Sequence, residues 1–226
     1  MLNKDSSLDE LHDTQRSTQD LLFILDDLFF FSIDKYDQLL RKETEKLFEQ
    51  MHVPEVLFDQ AFPQIIWWLL FCYPQAHHRK TIYQDYLEVH NEKWQKTNKV
   101  VRDHLDSWLS VVPGFYRVVK IDSQHKRLFH VQDVFLKRRK RVFIFNEIFQ
   151  TPKMGEIISG MLLPVGNNVY TTQGRLFLLP ITIAPEIMAR LQQFVEMHKS
   201  NLDFVVTAPS YPALLRIVMQ TMEEKL

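Results

Sequence analysis

Val112-Pro113-Gly114-Phe115-Tyr116-Arg117-Val118-Val119-Lys120-Ile121 is where the chain changes character. Proline disfavours helix in the residue before it and glycine supplies a helix-ending turn, so a helical pattern reaching Val111 stops at Pro113-Gly114. The residues that follow are aromatic and β-branched, and Asp122-Ser123-Gln124-His125-Lys126 has turn composition, which predicts a hairpin. Phe129, Val131 and Phe135 then alternate with His130 and Gln132, and Val142-Phe143-Ile144-Phe145 predicts a third strand. Gly166-Asn167-Asn168 and Gln173-Gly174 divide the runs Ile157 to Val165, Val169 to Thr172 and Leu176 to Leu179, giving about six short strands. So many strands in so few residues predict a small closed or nearly closed antiparallel barrel, because closure removes exposed edges.

Glycine placement supports this division. All five glycines lie between 114 and 174, and the flanks have none. Clustered glycine marks a tightly turning strand-rich segment, whereas glycine-free stretches suit helices.

On the N-terminal side, residues 1–20 are polar and read as a flexible terminus, and residues 21–113 as a helical region. Leu21, Leu22, Leu25, Leu28 and Phe29 recur at helical spacing. Ser32 or Asp34 is a cap for a second helix striped by Tyr36, Leu39, Leu40, Leu47 and Met51. Pro54 suits the first turn of a third helix, with Pro63 kinking or dividing it before Trp67-Trp68, and one or two more helices fit between Lys80 and Val111. On the C-terminal side, residues 181–226 read as two helices beginning near Pro185 and Pro212, able to pack back on the helical region. The expected class is therefore α+β: an N-terminal helical region, a small β-barrel-like domain over 114–180, and two C-terminal helices.

The apolar run Ile65 to Tyr73 is far short of the roughly 20 residues needed to span hydrocarbon, and no membrane association is expected. The N-terminus lacks the basic head and apolar stretch of a secretory signal. With 226 residues, 46% hydrophobic and 24% charged, the composition is that of a globular protein. A single cysteine, Cys72, excludes an internal disulfide and a CxxC site, and the cytoplasm is the expected location.

Net charge is −1, but its distribution is uneven. Residues 1–50 hold six Lys or Arg against twelve Asp or Glu, a net of −6, while residues 114–180 hold eleven against four, a net of +7. Lys137-Arg138-Arg139-Lys140-Arg141 concentrates five cations between two strands, beside Phe135, Phe143 and Phe145. Three readings stand. The run is a hairpin tip that neutralises nucleic-acid phosphates; it is a solvated turn whose charges prevent edge-to-edge aggregation; or it docks the acidic helices or an acidic protein partner.

Catalytic signatures are weak. Gly155-Glu156-Ile157-Ile158-Ser159-Gly160 has P-loop glycine spacing, but Met161-Leu162 replace the required Lys and Ser or Thr. Ile157 occupies the first glycine position of a G-x-S-x-G elbow. The nine histidines show no metal-ligand spacing: His77-His78 are adjacent, and the Asp85, Glu88, Glu92 cluster has no histidine at a chelating offset. His104 and Asp106 read as groups near a helix end. Asp26-Asp27 is the one carboxylate pair whose burial would raise a pKa for acid catalysis, although adjacent helical residues diverge by about 100° and a polar flank explains them. Cys72 reads as a packed, unreactive thiol.

The order SWLSVVPGFYRVV, HVQDVF, GEIISGMLLPVGNNVYTTQGRLFLLP from Ser107 onward resembles a segment of uncharacterised bacterial proteins that carry a SEC-C motif. The resemblance covers about a third of the chain and implies a helical part followed by a small β-barrel. The metal-binding cysteine cluster of the SEC-C tail has no counterpart here, so neither zinc nor a catalytic residue carries over.

These readings lead to a non-enzymatic binding or adaptor protein acting on a protein partner. The alternative is a nucleic-acid-binding module using Lys137, Arg138, Arg139, Lys140 and Arg141, and a further alternative is an enzyme whose site gathers residues distant in sequence. No cofactor or metal is expected.

Overall fold

The computed structural model describes residues 5–75, 79–145, 150–166, 168–172, 176–198 and 207–225, with side chains from residue 19 onward. The chain begins with α1 (Asp5–Met51), a single helix where two were expected. Ser32 is buried and its hydroxyl donates to the Phe29 carbonyl at 2.7 Å, so it bonds back along the helix instead of capping a new one. A 3-10 turn at Glu55–Leu57 leads into α2 (Phe58–Cys72), which runs through Pro63 undivided. Then come α3 (Ile82–Val89), α4 (Asn91–Gln95) and α5 (Lys99–Trp108), one more helix than expected. Thr81 opens α3 with a reciprocal capping box to Gln84, and the Asn98 side chain caps α5.

Strands β1 (Gly114–Ile121) and β2 (Leu128–Asp133) form the expected hairpin, its turn held by Asp122 Oδ1, which accepts from the Gln124 and His125 amides at 2.9 Å each. Next are β3 (Arg139–Phe143), β4 (Ile157–Gly160), β5 (Leu163–Gly166), β6 (Val169–Thr171) and β7 (Phe177–Leu179). The run from Ile157 to Val165 is two strands, divided after Gly160, whose φ of +149° suits glycine. Helices α6 (Ala184–His198) and α7 (Tyr211–Glu223) follow, with Pro185 and Pro212 in their first turns as expected.

The strands form one mixed sheet, ordered β5-β6-β3-β2-β1-β4-β7, and it is not closed into a barrel. One pair is parallel, β3 with β6, and the others are antiparallel. The barrel expectation rested on the need to remove edges, and here helices meet that need: α1 and α5 lie against β5, and α2 against β7. At the β5 edge, where Pro164 has no amide to offer, the Trp108 indole donates to the Pro164 carbonyl at 2.9 Å.

The two faces of the sheet bury different cores. Phe115, Ile157, Phe177 and Leu179 join the main core, which also takes Leu25 and Leu28 of α1, Leu69 of α2, and Leu214 and Val218 of α7, so helices from both ends of the chain pack together on this face. The Trp68 indole adds a bond to the Ala208 carbonyl at 2.6 Å. The opposite face supplies a second core of Tyr116, Val118, Phe129, Val131, Val142 and Ile158, drawn wholly from residues 114–179, so the sheet curls over itself to bury it.

Helices α1, α3 and α4 are tied by two similar polar joints. Asp27 accepts from the Tyr86 hydroxyl at 2.8 Å and from Lys93 at 2.9 Å, and Asp85 accepts from the Tyr36 hydroxyl at 2.7 Å and from Lys35 at 2.6 Å.

Candidate anion-binding surface

The basic run is not a single tip. Asp133 ends β2 and its Oδ1 accepts from the Phe135 and Leu136 amides at 2.9 and 2.8 Å, closing a turn in which Lys137 takes a φ of +59°. Lys137 Nζ donates back to the Val134 carbonyl at 2.6 Å, so this cation also stabilises its own turn. Arg138 follows in the turn, while Arg139, Lys140 and Arg141 lie within β3. Strand alternation then separates them: Arg139 and Arg141 share one face, and Lys140 has the other.

On the outer face, the register builds two cross-strand rows. Arg117 of β1 stands opposite Gln132 of β2, and Gln132 opposite Arg139 of β3. Lys120 stands opposite His130, and His130 opposite Arg141. Each row carries a cation at both ends, two strands or roughly 10 Å apart. Simple alternation would put Arg117 and Lys120 on opposite faces. The register shift between Val118 and Lys120 is a β-bulge, anchored where Val118 exchanges backbone hydrogen bonds with Glu156 (2.8 Å) and Gly155 (2.9 Å), and it turns Lys120 outward beside Arg117. Arg117, Lys120, Arg139 and Arg141 are all exposed. The pKa of His130 is lowered, first by burial and then by the charges of Lys120 and Arg141, with Arg139 adding to them and the Asp122 carboxylate opposing. Next to this face, Arg117, Gln132 and Lys137 line a cavity of about 310 Å³ whose far wall is α6, at Met188 and Gln192.

Lys140, on the inner face, enters a larger cleft of about 590 Å³ between the end of α5, the β2–β3 turn and β6. Its Nζ lies 4.9 Å from the centre of the Tyr116 ring and 4.6 Å from that of Tyr170, and donates to the Tyr116 hydroxyl at 3.4 Å. Burial lowers its pKa; the Arg138 charge acts in the same direction, and the Asp133 carboxylate opposes. Tyr116 is fully buried and its hydroxyl is pushed well above the usual phenol range by burial.

The remaining candidates take structural roles. The pKa of Asp27 is not raised. Burial acts upward, but the hydrogen bonds from Lys93 and Tyr86 and the Lys93 charge outweigh it and hold the carboxyl below the usual range. Cys72 is pushed up to about 12 by burial, as a packed thiol should be. Glu88 binds Lys80 at 2.6 Å, and no group of three metal-ligating side chains occurs among the described residues. His77-His78 lie outside the described residues. Gly155 and Gly160 sit at the two ends of a strand segment with φ of +85° and +149°, not in a strand-to-helix phosphate loop. No helix among the described residues is long and apolar enough to cross a membrane.

The sequence reading found Lys137 to Arg141 but missed Arg117, Lys120 and His130. Their signal was present only as a net positive charge spread over 114–180, because the bulge that aligns them depends on pairing with residues 155–156. Comparisons with family models, with curated proteins and with solved structures returned no match, and they bear on the SEC-C resemblance neither way.

Proposed function

We propose that this protein acts by binding rather than by catalysis, and that the outer face of β1–β3 contacts the phosphates of a nucleic acid. The observation that carries this reading is the pair of cross-strand rows, Arg117–Gln132–Arg139 and Lys120–His130–Arg141, which present four exposed cations on one face. Cations so spaced neutralise a phosphate backbone and release its counterions.

Fluorescence anisotropy of labelled single-stranded and duplex RNA and DNA, titrated over sodium chloride, tests it. Binding with a Kd of about 10⁻⁴ to 10⁻⁶ M that weakens steeply with salt is expected. Changing Arg117, Lys120 and Arg139 together to Gln should reduce the log–log salt slope on a duplex by about 3. Absence of binding at low salt, or an unchanged slope in this variant, overturns the reading.

A protein partner is a second reading, favoured by α1. Phe23 and Phe30 are 66% and 69% exposed, and seven residues apart they lie on one face, joined by Ile33 at 42%. Its test is capture of a partner from lysate that Phe30→Glu abolishes while the triple Gln variant does not.

A further inference from the structure

We infer that the cleft around Lys140 is a separate site for a small ligand bearing a phosphate monoester. Arg138 and Lys140 bring two cations to it against one carboxylate, Asp133, and Arg139, whose strand position faces the other side, borders its rim. That carboxylate is already engaged, since its Oδ1 holds the turn amides of Phe135 and Leu136. The lining therefore keeps a positive surplus even without Arg139, and with it the surplus reaches two, which a phosphate monoester, at about −1.5 to −2 near neutral pH, matches more closely than a carboxylate does.

The geometry around Lys140 points the same way. An ammonium group taken out of water needs partners for three donors. Lys140 has one long hydrogen bond, 3.4 Å to the Tyr116 hydroxyl, and otherwise two aromatic rings on which it rests at 4.9 and 4.6 Å. The rings fix the position of the charge without saturating its donors. Gly114 makes this arrangement possible: a Cβ there would lie 2.7 Å from the Tyr116 hydroxyl. A volume of about 590 Å³ exceeds what a bare oxyanion occupies and falls within the range of small-molecule sites, and the apolar wall at Phe135, Leu136 and Leu162 suits the organic part of the ligand. The site does not depend on the nucleic-acid reading, because Lys140 lies on the inner side of β3 and the rows of cations on the outer side.

The test is calorimetric titration of the full chain with phenyl phosphate, with phenol and inorganic phosphate as separate probes. One-to-one binding of phenyl phosphate is expected, at least tenfold tighter than inorganic phosphate, with no binding of phenol. Lys140→Met, which keeps the alkyl stem between the rings, should weaken it at least tenfold, and Lys120→Gln on the outer face should leave it unchanged. If Lys140→Met does not fold, reductive methylation of the wild-type protein gives the same information: phenyl phosphate should slow labelling of Lys140 several-fold and leave Lys120 unaffected. No heat with phenyl phosphate, equal affinity in Lys140→Met, or labelling of Lys140 unaffected by the ligand overturns the inference. Loss of nucleic-acid binding in a variant with only Arg117 and Lys120 changed to Gln, with phenyl phosphate binding intact, separates the two sites.

Discussion

Ser159 Oγ and the Tyr211 hydroxyl lie 3.0 Å apart with neither residue reached by solvent, joining β4 to the first residue of α7 across the main core. Each is the hydrogen-bond partner of the other's buried hydroxyl, so removing one leaves the other unsatisfied. Tyr211→Phe or Ser159→Ala should each cost about 1–3 kcal/mol, and the double variant should cost less than the sum. Urea unfolding of the four proteins measures this; additive losses would mean that the pair is not coupled.

The joint between α1 and α3 carries a pH signature. The Asp27 carboxyl is held below its ordinary pKa, so its stabilising contribution is present above the unfolded value, about 3.9, and is lost as pH falls through the folded value. The Asp27 side chain is about a third exposed, at 35%, which limits the contribution to about 1 kcal/mol or less. Asp27→Asn should therefore lower stability at pH 7 and narrow its deficit relative to wild type between pH 5 and 3. A deficit that stays constant over that range would contradict the assignment.

Gly160→Ala should be more damaging than an ordinary surface change. Its φ of +149° strains any side chain, and the new Cβ would meet Gln64 Oε1, on the buried face of α2, at 2.6 Å. A loss of about 2 kcal/mol is expected. For a chain of this size that lowers Tm by roughly 4–8 °C, readable by calorimetry.

His130 should make nucleic-acid binding pH-dependent. Burial and the neighbouring cations keep the free imidazole neutral to lower pH than usual. Phosphates placed over the rows would offset the repulsion from Lys120, Arg141 and Arg139, raise the imidazole pKa and draw in a proton. Affinity should then rise as pH falls from 7.5 to 5.5, by up to about tenfold for each pKa unit restored, and His130→Gln should remove the dependence. An unchanged pH profile in that variant would assign the effect elsewhere.

Legibility in the sequence followed the range of the interactions concerned. The β1–β2 hairpin and the starts of α6 and α7 rest on local signals, the Asp122 turn and the first-turn prolines, and all are legible in the sequence. The fusion of two expected helices into α1 was not, because Ser32 has the same appearance whether it caps a helix or bonds back to Phe29. The open sheet was also missed, since closing a barrel and covering its edges with helices need the same short strands. Lys120 was hidden most completely, because a bulge held by Gly155 and Glu156 reverses the face that alternation assigns to it.

Helices along β5 and β7 also limit how anything can join this sheet. A peptide that binds by becoming an extra strand needs a free row of amides and carbonyls, and here one terminal strand lies under α1 and α5 and the other against α2. That placement favours recognition through side chains on a face or in a cleft over strand addition, and a second copy of the chain pairing with either terminal strand would meet a helix beside it.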